Sequence, residues 1–143
     1  MLLNINNKLN ITLCGMMGSG KTAIGRILAN KLDYNFIDVD KMIEIEAKKT
    51  IKKIFDEDGE EYFRDLEEKI TINILKHKET IVSLGGGAII NNNIRNSIKK
   101  NLKKKLINLI NKREKFYQKA DLIIKNEKNI IETTENIIKK IIN

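Results

Sequence analysis

The sequence predicts a three-layer α/β/α fold built on a parallel sheet. Three observations lead to this prediction: short apolar, β-branched runs recur along the chain, amphipathic helical segments separate them, and a glycine-rich loop follows the first run. With 143 residues the chain is long enough for one hydrophobic core and too short for two, and neither repeats nor low-complexity linkers divide it. We therefore expect a single domain over residues 1–143.

The composition favours a cytoplasmic globular protein. Apolar residues make up 41% of the chain and charged residues 32%, and no apolar run is long enough to cross a bilayer. The first predicted strand follows Met1 too closely for a cleavable signal peptide, and the single Cys14 cannot form an internal disulfide.

The net charge of +8 comes mostly from lysines interspersed with glutamate and asparagine. We therefore expect a monomer with a solvated surface and neither a nucleic-acid nor a membrane partner, although an electrostatic role stays open for the basic run 99–105.

The first strand and the loop after it carry the most specific motif. Asn10–Cys14 is a short apolar run stopped by glycine, which predicts a buried strand. The next eight residues read GMMGSGKT and fit the phosphate-loop pattern, in which glycines curl the backbone so that successive N–H groups face one phosphate. The lysine of this pattern reaches the outer phosphates, and the hydroxyl can bind Mg²⁺. We expect a nucleotide site formed by Gly15, Gly18, Ser19, Gly20, Lys21 and Thr22.

A helix is predicted directly after the loop, from Lys21 to Lys31. Its apolar positions recur at helical spacing: Ile24, Ile27, Leu28 and Leu32. The helix would point its N-terminus at the phosphates, which is the context that the motif requires.

The second predicted strand, Phe36–Asp40, carries two aspartates. Asp38 and Asp40 are two residues apart, which places both carboxylates on one face near the carboxyl end of the strand. Because ligands lie beyond the carboxyl ends of parallel strands, we expect both side chains beside the phosphate loop. One would suit a Mg²⁺ water and the other a substrate hydroxyl. The alternative is that one of them only caps the helix starting at Lys41.

The segment from Lys41 to Leu75 has a helical pattern, with breaks near 48–50 and 56–59. In its last helix Arg64 is spaced to meet three glutamates, Glu60, Glu67 and Glu68. Arg64 is therefore either part of a surface ion-pair ladder or an anion-binding residue, and the spacing alone leaves both possibilities open.

The third predicted strand, Thr80–Leu84, ends in the glycines Gly85, Gly86 and Gly87. Three glycines there allow a substrate to press against bare backbone N–H groups, although a plain strand-to-helix turn is the alternative. A basic helix is predicted over 91–105, a last strand over 120–124, and an amphipathic terminal helix from Ile130 to Ile142.

Taken together, these blocks resemble the shikimate kinase family. The resemblance rests on the GMMGSGKT loop followed by Ile24-Gly25-Arg26, the FIDVD strand, the segment 54–68, the SLGGGA strand end, and the segment Arg113–Asp121. It implies an α/β fold of the phosphate-loop kinase type that uses ATP and Mg²⁺ to phosphorylate shikimate. It also implies catalytic roles for Lys21 and Asp40 and a metal site at Thr22 and Asp38. The shikimate site would comprise Asp40, Arg64, Gly85, Gly86, Gly87 and Arg113.

The chain departs from the family pattern before Arg113. The family has a fourth strand, a further helix and a lid bearing an arginine there, whereas this chain has only residues 102–112, which contain no arginine. Either 106–110 is the fourth strand and the lid is deleted, or these residues are a helix that leads into Arg113. We favour the helix, because Leu106, Leu109 and Ile110 continue on one face into Phe116 and Tyr117. A loose cationic cover by Lys103–Lys105 is a further hypothesis.

Overall fold

The computed structural model describes residues 10–99, 104–110, 122–125 and 129–142. Within these residues, five parallel strands form one sheet in the order β2-β3-β1-β4-β5. The strands are β1 (Asn10–Cys14), β2 (Asn35–Asp38), β3 (Thr80–Ser83), β4 (Lys104–Ile110) and β5 (Leu122–Lys125). The helices are α1 (Lys21–Leu32), α2 (Val39–Ala47), α3 (Ile51–Glu57), α4 (Gly59–Ile74), α5 (Asn92–Lys99) and α6 (Ile130–Ile142), and a short 3₁₀ turn covers Ala88–Ile90.

Two apolar clusters form the layers on either side of the sheet. Alternate residues of a strand point to opposite faces, so Ile11 and Leu13 of β1 pack against α1 and α6, while Cys14 packs on the other side with α2, α4 and α5. All five residues of β1 are buried, as expected for the central strand of a covered parallel sheet. The three-layer α/β/α prediction is confirmed. No helix in the described part of the chain is both long and apolar enough to span a bilayer.

The second strand is shorter than predicted, and this changes the position of one aspartate. Asp38 is the last residue of β2, and α2 begins at Val39, so Asp40 lies in the first turn of a helix and not on a strand. Val39 and Ile43 are both fully buried one helical turn apart, which fixes the start of α2, and a carboxylate in the first turn is favoured by the helix dipole. The two-residue spacing of the aspartates fits either a strand or this strand-to-helix junction.

The prediction of a helix over 106–110 was wrong, because these residues belong to β4. The strand pairs with β1 on one side and β5 on the other, in parallel on both sides. A short apolar run paired between two strands shows the same spacing of large residues as a helix face, so tertiary pairing decides the outcome. The basic helix is correspondingly shorter than predicted and ends at Lys99.

The register of β4 also contradicts a cationic cover by Lys103–Lys105. Lys104 pairs with Asn10 and Lys105 with Ile11, at the amino end of β1, whereas Asn108 pairs with Cys14 next to the phosphate loop. Lys104 and Lys105 therefore lie at the opposite edge of the sheet from the loop. Lys103 lies outside the described residues.

Gly25 of α1 allows the helix to approach the sheet closely. A Cβ atom at this position would overlap Cε2 of Phe36 and lie 2.9 Å from its Cδ2 and 3.2 Å from Cδ1 of Leu13. We expect Gly25→Ala to lower the free energy of unfolding by about 1–3 kcal/mol in urea titrations, because the packed ring would have to shift. Asn30→Ala, at an exposed position of the same helix, is the control and should not destabilise the protein. An unchanged Gly25→Ala midpoint would show that Phe36 moves without cost.

Candidate functional site

The phosphate loop curls around the amino group of its own lysine. Lys21 Nζ donates to the carbonyl oxygens of Gly15 at 2.7 Å and Met16 at 2.9 Å. Gly18 and Gly20 take left-handed φ angles of 76° and 87°, which favour glycine. Burial lowers the pKa of Lys21, and Asp40 is the largest opposing influence. The result is a half-buried cation set against backbone at the start of α1, as the sequence predicts for a phosphate site.

Thr22 and Asp38 meet beside this loop. Thr22 Oγ1 donates to Asp38 Oδ2 at 2.8 Å. Asp38 occupies the N-cap position of α2, but its side chain accepts no capping hydrogen bond, so the capping alternative does not describe it. No group of three or more His, Cys, Asp or Glu side chains among the described residues could hold a metal alone. A hydroxyl and a carboxylate oxygen side by side nevertheless suit Mg²⁺, which takes few protein oxygens together with phosphates and water.

Asp40 lies against the first glycine after β3. A Cβ atom on Gly85 would lie 2.7 Å from Asp40 Oδ1 and 2.7 Å from Glu67 Oε1, so only glycine fits there without displacing a carboxylate. Burial raises the pKa of Asp40, the negative charge of Asp38 raises it further, and Lys21 partly opposes both. A carboxylate with a raised pKa is a better proton acceptor than an exposed one at neutral pH.

Arg64 is held on two sides by glutamates of α4. Its Nη1 donates to Glu67 Oε2 at 2.8 Å, and its Nη2 donates to Glu60 Oε1 at 3.2 Å. The predicted ion-pair ladder therefore exists, but Arg64 also faces the glycine turn, since a Cβ on Gly87 would lie 2.9 Å from Nη1. Glu67 is 2% exposed, and burial raises the pKa of its carboxyl although Arg64 lowers it. Arg64 keeps 41% of its side chain exposed, which leaves part of the guanidinium accessible to an anion.

The middle glycine faces the phosphate loop. A Cβ on Gly86 would lie 3.8 Å from both Cγ and the backbone nitrogen of Met17. The three glycines thus face Asp40, the phosphate loop and Arg64 in turn. None of Gly85–Gly87 has a positive φ angle. Glycine is therefore needed there because neighbouring side chains approach the backbone closely, and not because of an unusual backbone angle.

A cavity of about 430 Å³ opens between the loop and the carboxyl ends of β2 and β3. It brings together the predicted residues Lys21, Thr22, Asp38 and Asp40, whereas Arg64, Gly85 and Gly87 do not line it. Its lining is Met17, Gly18, Gly20, Lys21, Thr22, Ala23, Asp38, Asp40, Ser83, Leu84 and Gly86. Met17 and Ser83 line the cavity but were not predicted as site residues from the sequence. Ser83 could have been found by strand register, since it pairs with Asp38 at the end of β3. Arg113 lies outside the described residues.

Comparisons with known proteins agree with this geometry. A family model described as shikimate kinase matches residues 17–104. The chain is 35% identical to a shikimate kinase of Chlorobaculum parvum, over 92% of this chain and 91% of the relative. Its fold resembles that of a shikimate kinase from Acinetobacter baumannii in complex with shikimate, with a TM-score of 0.86, 25% identity and coverage of 93% and 92% of the two chains.

Several similarities of higher identity are confined to part of the relative. The chain is 52% identical to a shikimate kinase of Chlorobium phaeobacteroides over 57% of this chain and 41% of the relative. In that protein and two further relatives the matched region spans only 41% to 55% of the length. The Chlorobaculum parvum alignment runs over 170 positions, more than the 143 residues of this chain, so that relative contains segments that are missing here.

The connection between β4 and β5 is short. It consists of the eleven residues 111–121, and a parallel crossover takes about a dozen residues even without an insertion. Of the two possibilities left by the sequence, the structure thus supports a fourth strand at 106–110, and residues 111–121 lie outside the described residues.

Proposed function

The chain belongs to the shikimate kinase family, and on that basis we propose that it transfers the γ-phosphoryl group of ATP to the 3-hydroxyl of shikimate. The products would be shikimate 3-phosphate and ADP, in the pathway to chorismate and the aromatic amino acids. The observation that carries the proposal is the glycine turn Gly85–Gly87, whose three residues face Asp40, the phosphate loop and Arg64. A phosphate cradle, a proton acceptor and a carboxylate-binding cation thereby share one turn.

Asp40 and Lys21 would act on the two sides of the transferred group. Asp40 accepts the proton of the attacking hydroxyl, whose oxygen forms the new bond to the γ-phosphorus as the bond to the β-phosphate oxygen breaks. Lys21 leaves the carbonyls of Gly15 and Met16 and binds the phosphate oxygens, where it stabilises the charge of the transition state. ADP leaves the loop formed by Gly15, Gly18, Ser19, Gly20 and Thr22.

Arg64 would bind the shikimate carboxylate and fix the acceptor for in-line attack. Glu67 holds one edge of the guanidinium, so the group is oriented before substrate arrives. We propose Arg113 as the second carboxylate-binding residue. It follows Ile110, the last residue of β4, by three positions, and three residues reach at most about 11 Å from that edge of the sheet.

Thr22 and Asp38 would organise Mg²⁺, which when bound neutralises phosphate charge. We expect Thr22→Val to raise the Mg²⁺ concentration needed for half-maximal activity by about tenfold or more, because one oxygen of the pair is lost. Magnesium titrations of the steady-state rate measure this. Ser97→Ala removes a hydroxyl from α5 and is the control. An unchanged magnesium requirement in Thr22→Val would remove Thr22 from the metal site.

A coupled ADP-release assay tests the proposed reaction. We expect ADP formation to depend on shikimate, and a panel of other small hydroxy acids tests the nearest rival within the same chemistry. ADP release that does not depend on shikimate would reject the proposal, and release that depends instead on another acid of the panel would favour the rival. We further propose a cytoplasmic monomer, as expected from the sequence, and light scattering tests the monomer.

A second candidate function is a nucleotide- and shikimate-binding protein with little or no turnover. The eleven-residue connection 111–121 favours it, because a lid excludes water and supplies positive charge, and its loss raises hydrolysis and slows transfer. Calorimetry that detects binding of both ligands, together with product formation equal to that of Lys21→Ala, would support this candidate over the kinase.

A further inference from the structure

The glycine turn is held from its downstream side. Gly85–Gly87 have no side chains, and backbone bonds to the residues that follow help to hold them in place. Ala88 N donates to Gly85 O at 3.2 Å, and Ile90 N donates to Gly87 O at 3.0 Å. Asn91 N then donates to Ala88 O at 3.1 Å. Asn91 is therefore bonded into the same short segment that continues the glycine turn.

Asn91 is fixed by a carboxylate of α4. Glu68 Oε2 accepts a hydrogen bond from Asn91 Nδ2 at 2.6 Å, and Glu68 Oε1 accepts one from Asn93 Nδ2 at 2.8 Å. We call these three residues the Glu68 clasp. Both oxygens of the carboxylate are used, and these hydrogen bonds lower the pKa of Glu68, so the clasp persists throughout the neutral range.

The clasp is more than a helix cap. Asn91 Oδ1 accepts hydrogen bonds from the backbone nitrogens of Asn93 at 2.8 Å and Ile94 at 3.0 Å, which completes the N-cap of α5. The bond from Asn91 Nδ2 to Glu68 is not needed for that cap. It instead ties the turn and α5 to α4, across 23 residues of sequence.

Glu68 stands one helical turn from Arg64 on α4, so the same helix presents both side chains towards the segment that follows β3. Arg64 lies against Gly87, and Glu68 accepts a hydrogen bond from Asn91, four residues further along the chain. Building on the proposed function, we propose that Glu68 is a positioning residue that sets the spacing between the Arg64 guanidinium and the glycine turn, and thereby the affinity for the acceptor carboxylate.

Substitution of Glu68 tests this role. We expect Glu68→Ala to raise the KM for shikimate by about fivefold to tenfold, as for the loss of charge-assisted hydrogen bonds at the surface, with kcat and the KM for ATP changed less than twofold. Glu61→Ala, an exposed carboxylate of the same helix, is the control. A merely structural role would lower the melting temperature without this selective change in KM, and that result would overturn the proposal.

A double variant that exchanges the charged and the amide side chain tests whether the hydrogen bonds of the clasp can be restored. Asn91→Asp keeps the capping oxygen but sets a carboxylate against Glu68, so the KM for shikimate should rise at least as much as in Glu68→Ala. Adding Glu68→Gln restores a donor facing the new carboxylate and an acceptor facing Asn93, and should bring the KM back to within about twofold of wild type. Absence of rescue by this double variant would contradict the clasp.

Hydrogen exchange separates this proposal from the proposed function, because it needs no turnover. In the protein without substrate, we expect the amides of 84–91 to exchange faster in Glu68→Ala than in wild type or Glu61→Ala. Unchanged exchange there would reject the clasp even in an active kinase. If exchange is faster in Glu68→Ala but the wild-type protein shows no shikimate-dependent turnover, the role of Glu68 in holding the turn stands and only the proposed reaction is rejected.

Discussion

Replacing Asp40 by asparagine is expected to lower kcat for transfer to shikimate by about 10²- to 10⁴-fold, the usual contribution of a general base. Asparagine has nearly the same shape, so the contact with Gly85 is kept while the ability to accept a proton is lost. The affinity for ATP, measured by calorimetry, should change little. Asp33→Asn removes an exposed carboxylate after α1 and is the matched control. A kcat within a few-fold of wild type in Asp40→Asn would show that another group accepts the proton.

The same variant should be more stable than wild type at neutral pH. The pKa of Asp40 is raised from 3.8, so between pH 3.8 and the folded-state pKa the folded protein binds more protons than the unfolded chain. The free energy of unfolding therefore falls as the pH rises through this window, and the loss remains at pH 7. Asparagine carries no charge to bury, so urea unfolding should show a gain at pH 7 and less change with pH. A destabilised variant would mean that attraction to Lys21 outweighs burial.

Replacing Lys21 by alanine is expected to lower kcat by about 10²- to 10³-fold or more, as for loss of a preorganised donor to transition-state charge. The lysine is half-buried and already directed at the curled loop, and it is the only Lys or Arg that lines the cavity among the described residues. Lys52→Ala, at an exposed position of α3, is the control.

The pH dependence of the Lys21→Ala variant carries further information. Lys21 lowers the pKa of Asp40, so replacing the lysine should raise that pKa. The fall of the remaining activity on the acid side should therefore occur at a higher pH than in wild type. Full activity of Lys21→Ala would contradict a catalytic role of Lys21. An acid limb at unchanged pH would show that Lys21 does not influence the pKa of Asp40.

Local motifs could be predicted closely from the sequence, because short-range chemistry defines them. Strand β1 has the predicted bounds, and α1 starts at the predicted Lys21. The glycine-lysine-hydroxyl pattern leaves little freedom there, since the loop needs glycines at positive φ and a helix directly behind it. Asp38 also lies beside the phosphate loop, as predicted for the carboxyl end of a parallel strand, and its side chain meets that of Thr22 there.

The features that sequence reasoning misjudged depend on distant residues. Residues 106–110 form a strand because β1 and β5 pair with them, which their own spacing does not reveal. Asp40 lies in α2 because Val39 and Ile43 are buried together, and the alternation of the aspartates fitted a longer strand. The Glu68 clasp joins residues 23 and 25 positions apart through asparagines that read as ordinary loop and cap residues.

The most direct test of one shared site follows the phosphate itself. Phosphorus NMR of the protein with ATP, Mg²⁺ and shikimate distinguishes shikimate phosphate from inorganic phosphate. We predict that shikimate phosphate appears together with ADP. We also predict some inorganic phosphate, because the proposed loss of the lid would leave the site open to water. Inorganic phosphate as the sole product besides ADP, at the same rate with and without shikimate, would contradict the account.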